Sequence, residues 1–155
     1  MTYQQAINSS DSEEWKIAIN DELKNMYDNK VMEVVENIPI DANLIFTKWV
    51  FTEKDDKKKK ARLVALGFQQ VAGENFIETY SPTVQADSLR LTIAIASEFN
   101  WDLKQLDIKA AYLNADLEEK IYTRIPYDDK NFNTNKFWQL KKALYGLKQA
   151  GKNKV

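Results

Sequence analysis

The chain has 155 residues, with 22 Lys plus Arg against 23 Asp plus Glu, a net charge of −1, and neither cysteine nor histidine. That length suits one domain with a real core, and the near-neutral balance means that any nucleic-acid contact has to come from local patches. The missing Cys and His exclude disulfides, thiol catalysis, Cys/His zinc sites and a Ser-His triad, so chemistry falls to carboxylates, lysines, arginines, tyrosines or a bound metal.

Residues 1–11 are polar and read as a flexible tail without the apolar core of a signal peptide. No apolar run reaches the roughly 20 residues of a membrane helix. With cysteine absent, a cytoplasmic or nuclear location and no membrane partner are expected. Ser10, Asp11 and Ser12 before Glu13 and Glu14 predict an N-cap with a capping box. Trp15, Ala18, Ile19, Leu23, Met26 and Tyr27 recur at helical spacing, so residues 12–28 are predicted to be an amphipathic helix. Val31 to Val35 is a short strand and Pro39 opens a loop.

Two β-rich runs, Ile45 to Thr52 and Ala61 to Leu66, flank the charged stretch Glu53 to Lys60 and predict a long β-hairpin over 45–66. Alternation puts Lys60 and Arg62 on one face of it. A lysine run is ordinarily a solvated surface, and Asp55 and Asp56 offset part of its charge. Gly67 and Gly73 bracket a loop that runs to Pro82. Asp87 to Glu98 is predicted to be a buried helix. Leu103 to Asp107, Ile121 to Arg124 and Phe137 to Leu140 are predicted strands, Asp128 to Asn135 a polar loop, and Leu144 to Gln149 the start of a helix. The four tryptophans, Trp15, Trp49, Trp101 and Trp138, lie too far apart for a stacking platform and read as core. The order of elements is mixed α+β.

The stretch from Trp101 to Tyr122 carries the sharpest chemical signal. Asp107 ends a strand-like run, where a carboxylate is a natural ligand for a hard cation such as Mg²⁺. Tyr112 follows five residues later, where an aromatic ring can limit what fits beside that cation. Taken singly, such an Asp ordinarily caps a turn and such a Tyr packs under one.

Four separated blocks resemble the reverse transcriptase of copia-type LTR retrotransposons. They are Lys48-Trp-Val-Phe51 with Lys60-Ala-Arg-Leu-Val-Ala-Leu-Gly-Phe-Gln69; Glu78-Thr-Tyr-Ser-Pro-Thr-Val84 with Leu89-Arg90; Gln105-Leu-Asp-Ile-Lys-Ala-Ala-Tyr-Leu-Asn114 with Leu117-Glu-Glu-Lys-Ile-Tyr122; and Ala143-Leu-Tyr-Gly-Leu-Lys-Gln-Ala150. They stand in the family's order and spacing and cover nearly the whole chain from Trp15. The resemblance implies an RNA-directed DNA polymerase, a nucleotidyltransferase from a Pol polyprotein, with a right-hand fold. Residues 12–85 would be fingers and 86–155 the first part of the palm, truncated before the aromatic-x-Asp-Asp hairpin. RNA/DNA template-primer and dNTP are the implied partners.

By the same resemblance Asp107 is the first of three catalytic aspartates that hold two Mg²⁺ ions, which would stabilise attack of a primer 3′-oxygen on the α-phosphate. The backbone carbonyl of Ile108 would be a further metal ligand. Tyr112 would be the steric gate against a ribose 2′-OH. Lys60 and Arg62 would bind the triphosphate, Arg62 in a bidentate manner. Tyr145 and Gly146 would open the last helix, with Gly146 admitting the templating pair closely and Lys148 and Gln149 lining the same region. Leu66 stands where the family commonly has Lys, which removes one basic contact.

One carboxylate does not suffice for two-metal chemistry, and neither Asp116, Glu118 and Glu119 nor the polar triplet Tyr127-Asp-Asp129 replaces the missing pair. The chain is therefore expected to be inactive by itself and to hold Mg weakly or not at all. Two other readings stay open: a basic hairpin that holds template RNA without catalysis, and a non-functional relic. An uncovered strand beside Asp107 would leave an exposed sheet edge prone to self-association, and residues 12–85 are expected to be better ordered than 100–155.

Overall fold

The computed structural model describes residues 1–81, 84–106, 113, 115–126 and 135–151. Helices α1 (Tyr3–Ile7) and α2 (Ser12–Asp28) precede strands β1 (Met32–Val35), β2 (Leu44–Ile45), β3 (Thr47–Glu53) and β4 (Lys59–Ala65). A 3-10 turn (Gly67–Gln69), helix α3 (Ala86–Glu98), and strands β5 (Asp116–Arg124) and β6 (Phe137–Lys142) complete the order. The mixed α+β composition is as expected.

The strands form two sheets. One has the order β1-β6-β5-β2, and the other is the β3-β4 hairpin. β1 and β2 come from before residue 85, β5 and β6 from after it, so the larger sheet spans the expected fingers–palm boundary. α2 buries Trp15 and lays Ala18, Ile19, Leu23 and Met26 into a core shared with Ala61, Leu63 and Ala65 of β4, Ile121 of β5, and Trp138 and Leu140 of β6. Both halves of the chain therefore contribute to one core.

α2 ends without glycine. Lys30 takes a left-handed φ of 53°, its N–H bonds the Tyr27 carbonyl, and the Val31 N–H reaches back to Met26 O at 2.9 Å. That is a Schellman stop, and the fully buried Val31 supplies its apolar contact. The same pattern stops α3, with Asn100 at φ 51° and the Trp101 N–H on Ala96 O.

Several expectations are corrected. The capping box lies on α1, between Thr2 and Gln5, inside the stretch expected to be a tail. Asp11 precedes α2 but makes no side-chain cap bond, because its carboxylate is engaged by Lys59. α3 forms, yet Leu89, Leu91 and Ile93 are about half exposed and only Ala96 is buried. An apolar pattern gives a helix, but burial needs a partner element, and no described one covers this face. Trp101 is likewise 62% exposed, so it is not core. Residues 103–106 form no strand, since they pair with no strand among the described residues. Residues 144–149 form turns rather than a helix. Gly146 at φ +89° breaks the helical path, and the Tyr145 carbonyl is taken by the Ala65 N–H at 2.7 Å.

Candidate functional site

The β3-β4 register decides which hairpin side chains work together. Thr52 faces Lys60, Val50 faces Arg62, and Lys48 faces Val64. Cross-strand partners share a face, so Lys48, Lys60 and Arg62 stand on one side. Trp49, Phe51, Ala61 and Leu63 stand on the other, which packs onto α2. There Trp15 meets Phe51 edge-on at 5.2 Å, and Phe51 stacks with Trp49 at 6.3 Å. Lys60 and Arg62 thus share a face as expected. Lys48 joins them, and only the pairing register could have shown that.

Polar contacts add to this packing of the hairpin on α2. Lys59 Nζ lies 2.8 Å from Asp11 and 2.6 Å from Glu53, and 5.2 Å above the Trp15 ring. Its hydrogen bonds to Asp11 and Glu53 hold its ammonium well above the ordinary lysine range. Hydrogen bonds from Lys59 and from the Ser10 hydroxyl hold Asp11 below the usual carboxylate value. On the outer edge of β4, Glu22 accepts a hydrogen bond from the Leu63 N–H. Burial pushes its carboxyl up, against that bond and the charges of Arg62 and Lys60. Its Oε1 is buried with no hydrogen-bond partner among the described residues. Nothing in the sequence marks Glu22 as different from the other helix carboxylates, because the distinction depends on which strand edge it meets.

Beyond β4 the chain turns under its own strand. Tyr145 forms a parallel bridge with Val64, and its ring lies 5.6 Å from the Arg62 guanidinium carbon. Hairpin and distant turn therefore meet at the two residues that the family blocks single out. Gly146 does not open a helix; it packs against Ala65 and Val64 of β4. A buried polar network joins the loop after β4 to the following segment. Gln70 Nε2 donates to Gln149 Oε1 at 2.9 Å, and Gln149 Nε2 donates to Asn75 O at 2.6 Å. Gln70 Oε1 accepts from the Lys148 N–H at 2.7 Å, and Asn75 Oδ1 accepts from Asn43 and the Val71 N–H. Lys148 Nζ lies 4.5 Å above the Phe76 ring. Paired buried amides of this kind specify one arrangement. Gln70 and Asn75 carry no local signal in the sequence.

Asp107, Ile108 and Tyr112 lie outside the described residues, as does the Tyr127-Asp-Asp129 triplet. Among the described residues no three acidic side chains gather closely enough to hold a metal ion. None of the described helices is long and apolar enough to cross a membrane.

The family model for reverse transcriptase (RNA-dependent DNA polymerase) matches residues 29–154. The chain is 34% identical over 152 residues to a retrovirus-related Pol polyprotein from transposon RE1 of Arabidopsis thaliana, covering 94% of this chain and 10% of that protein. It is 37% identical over 139 residues to the corresponding polyprotein from transposon TNT 1-94 of Nicotiana tabacum, covering 86% and 10%. It is 38% identical over 116 residues to a Ty1-H Gag-Pol polyprotein of Saccharomyces cerevisiae, covering 71% and 6%. The chain thus spans a tenth or less of the length of these relatives. No solved structure matches it.

Proposed function

Because the chain belongs to the reverse transcriptase family of retrotransposon Pol polyproteins, we propose that it is the fingers and early palm of an RNA-directed DNA polymerase whose nucleotide site forms on the outer face of the hairpin. Arg62 and Lys60 bind the triphosphate of an incoming dNTP, and Tyr145 and Gly146 form the floor beside them. Asp107 and the Ile108 carbonyl are the metal ligands this chain contributes, and Tyr112 discriminates the sugar. The observation that carries this reading is the Arg62 guanidinium over the Tyr145 ring, 5.6 Å from its carbon to the ring centroid. A guanidinium held over a ring by cation–π attraction keeps its N–H donors for phosphate oxygens, which it can bind in a bidentate manner.

The 155-residue chain is inactive by itself. A single carboxylate leaves the hard cation without the acidic set that phosphoryl transfer requires. The chain's own residues place the triphosphate and hold the hairpin rigid while it is bound.

A primer-extension assay with Mg²⁺ on a homopolymer template tests this. The chain alone gives no extension. When the remainder of a relative's polymerase region is added as a second polypeptide, extension appears and is lost with Asp107→Asn, while Arg62→Ala raises KM for dNTP more than it lowers kcat. Robust extension by the chain alone contradicts the reading. A second reading, template RNA held without catalysis, is favoured by the three cations Lys48, Lys60 and Arg62 on one face. It requires RNA binding that weakens steeply with salt and is lost when Lys48 and Lys60 are changed to Glu.

A further inference from the structure

The turn that carries Tyr145 is tied down at both ends, by different kinds of bond. At its start the Tyr145 carbonyl accepts the Ala65 N–H at 2.7 Å, a backbone pairing that belongs to no side chain. Three residues on, the Lys148 N–H donates to Gln70 Oε1 at 2.7 Å. That second tie rests on a single side chain.

Gln70 is built to hold it. The residue is 5% exposed, and the 3-10 turn before it returns its own N–H to Gly67 O at 3.1 Å. Its Nε2 donates to Gln149 Oε1 at 2.9 Å and to Asn75 O at 3.3 Å. Donor and acceptor ends of the amide are therefore both engaged, which fixes its orientation. Lys148 Nζ, 3.4 Å from Gln70 O, ties the same two residues a second time.

We infer that Gln70 is a positioning residue for the nucleotide site: it holds the 145–148 turn where the Tyr145 ring meets Arg62, and through that ring it sets the affinity for a nucleoside triphosphate. The inference rests on the nucleotide reading of the hairpin face. Its physical basis is a narrow margin. The Arg62 carbon stands 5.6 Å from the ring centroid, and cation–π attraction reaches about 6 Å, so a ring displaced by about 1 Å loses its hold on the guanidinium. Without the Gln70 amide, the Lys148 N–H and the Gln149 side chain are left unpaired in the interior, and opening the turn to water relieves that cost. Apparent affinity then falls in proportion to the fraction of chains with the turn closed.

Titration of the whole chain with dTTP by saturation-transfer NMR tests this. Gln70→Met keeps the length and apolar stem of the side chain but removes the amide, and it raises the apparent Kd about ten-fold, as a closed fraction of about a tenth requires. In a Tyr145→Leu background the same change has no further effect, because its route to Arg62 is already cut. If Gln70→Met fails to fold by circular dichroism, hydrogen exchange in the unaltered chain decides. dTTP at about ten times its Kd slows exchange of the Lys148 amide about ten-fold and leaves that of Asn29, at the end of α2, unchanged. An unchanged Kd in Gln70→Met overturns the inference while the nucleotide reading stands. So do effects of Gln70→Met and Tyr145→Leu that simply add, or exchange at Lys148 that dTTP does not slow more than at Asn29. A parent chain that does not bind dTTP overturns the nucleotide reading, and the inference with it.

Discussion

Gly67 and Gly146 touch backbone to backbone: a Cβ on Gly67 would overlap the Gly146 carbonyl oxygen, and a Cβ on Gly146 would overlap the carbonyl oxygen of Ala65. This contact seats the Tyr145 turn beneath β4 and so places the Tyr145 ring beside Arg62. Gly67→Ala is therefore expected to cost about 1–3 kcal/mol through overpacking against rigid backbone. Gly146→Ala is expected to cost about 3 kcal/mol or more, because its φ of +89° adds left-handed strain. Gly73 is the control. Its φ is +85° but nothing lies within 4 Å of an added Cβ, so Gly73→Ala costs about 1–2 kcal/mol from the backbone alone. Urea unfolding midpoints of the three variants give the ranking.

Arg62 and Tyr145 separate charge from shape. Arg62→Lys keeps the charge and loses the guanidinium fork, so dTTP binding followed by saturation-transfer NMR weakens but persists, whereas Arg62→Ala abolishes it. Tyr145→Phe retains the ring under the guanidinium and binds as the parent does, while Tyr145→Leu behaves like Arg62→Lys. Unchanged dTTP binding in Arg62→Ala would remove the hairpin face from the nucleotide site.

Glu22 gives the fold a pH dependence of defined sign. Desolvation raises its carboxyl above the ordinary 4.5, so the folded chain holds that proton more tightly than the unfolded one. Stability therefore falls as pH rises from 4.5 through the raised value, and the deficit persists above it. Glu22→Gln cannot titrate and keeps an oxygen for the Leu63 N–H. Relative to the parent, its melting temperature is expected to be lowest near pH 4 and to gain steadily toward pH 7. A constant difference across that range would contradict the assignment.

Lys59 has the opposite logic. Its ammonium is held above the ordinary 10.5 and Asp11 is held below the ordinary 3.8. The stabilisation from Lys59 is present below pH 10.5 and lost as pH rises through its raised value; that from Asp11 is present above 3.8 and lost on acidification through its lowered value. Lys59→Met should thus lower the melting temperature by a constant amount across neutral pH, with the difference shrinking at both extremes. Limited trypsin digestion at Lys57 and Lys58 should also accelerate, since the hairpin tip loses its tie to α2. Cleavage at the parent rate would mean that the tie does not restrain the tip.

The apolar face of α3, together with exposed Phe99, Leu103 and Leu106, is the surface most prone to self-association among the described residues. Light scattering should rise with protein concentration. Leu89→Lys with Ile93→Lys should suppress the rise without altering the urea midpoint, since neither side chain is in the core. An undiminished rise would shift the cause to a strand edge.

Much of the fold was legible because it depends on local periodicity. The α2 spacing and the two β-rich runs around a charged tip place helix 12–28 and the hairpin within a residue or two of their observed bounds. Legibility failed where an outcome depends on a distant partner. The run from Leu89 to Ile95 specifies a helix but not what covers it. The Leu144 to Gln149 run has helical residues, yet Tyr145 gives its carbonyl to Ala65 and Gly146 turns left-handed beneath β4. The same reason hid Lys48 from the hairpin face and Gln70 from the buried amide network.

By itself the sequence determined the family, through four ordered blocks, and the alternation that sets Lys60 and Arg62 on one side of a strand, since side-chain direction in a strand has a period of two whatever surrounds it. Only the tertiary structure decided that Tyr145 lies beside Arg62, that Glu22 is pushed up at the edge of β4, and that Gly146 seats against the backbone of Ala65. Each of these depends on the spatial meeting of segments far apart in the chain, and no local pattern encodes the distance between them.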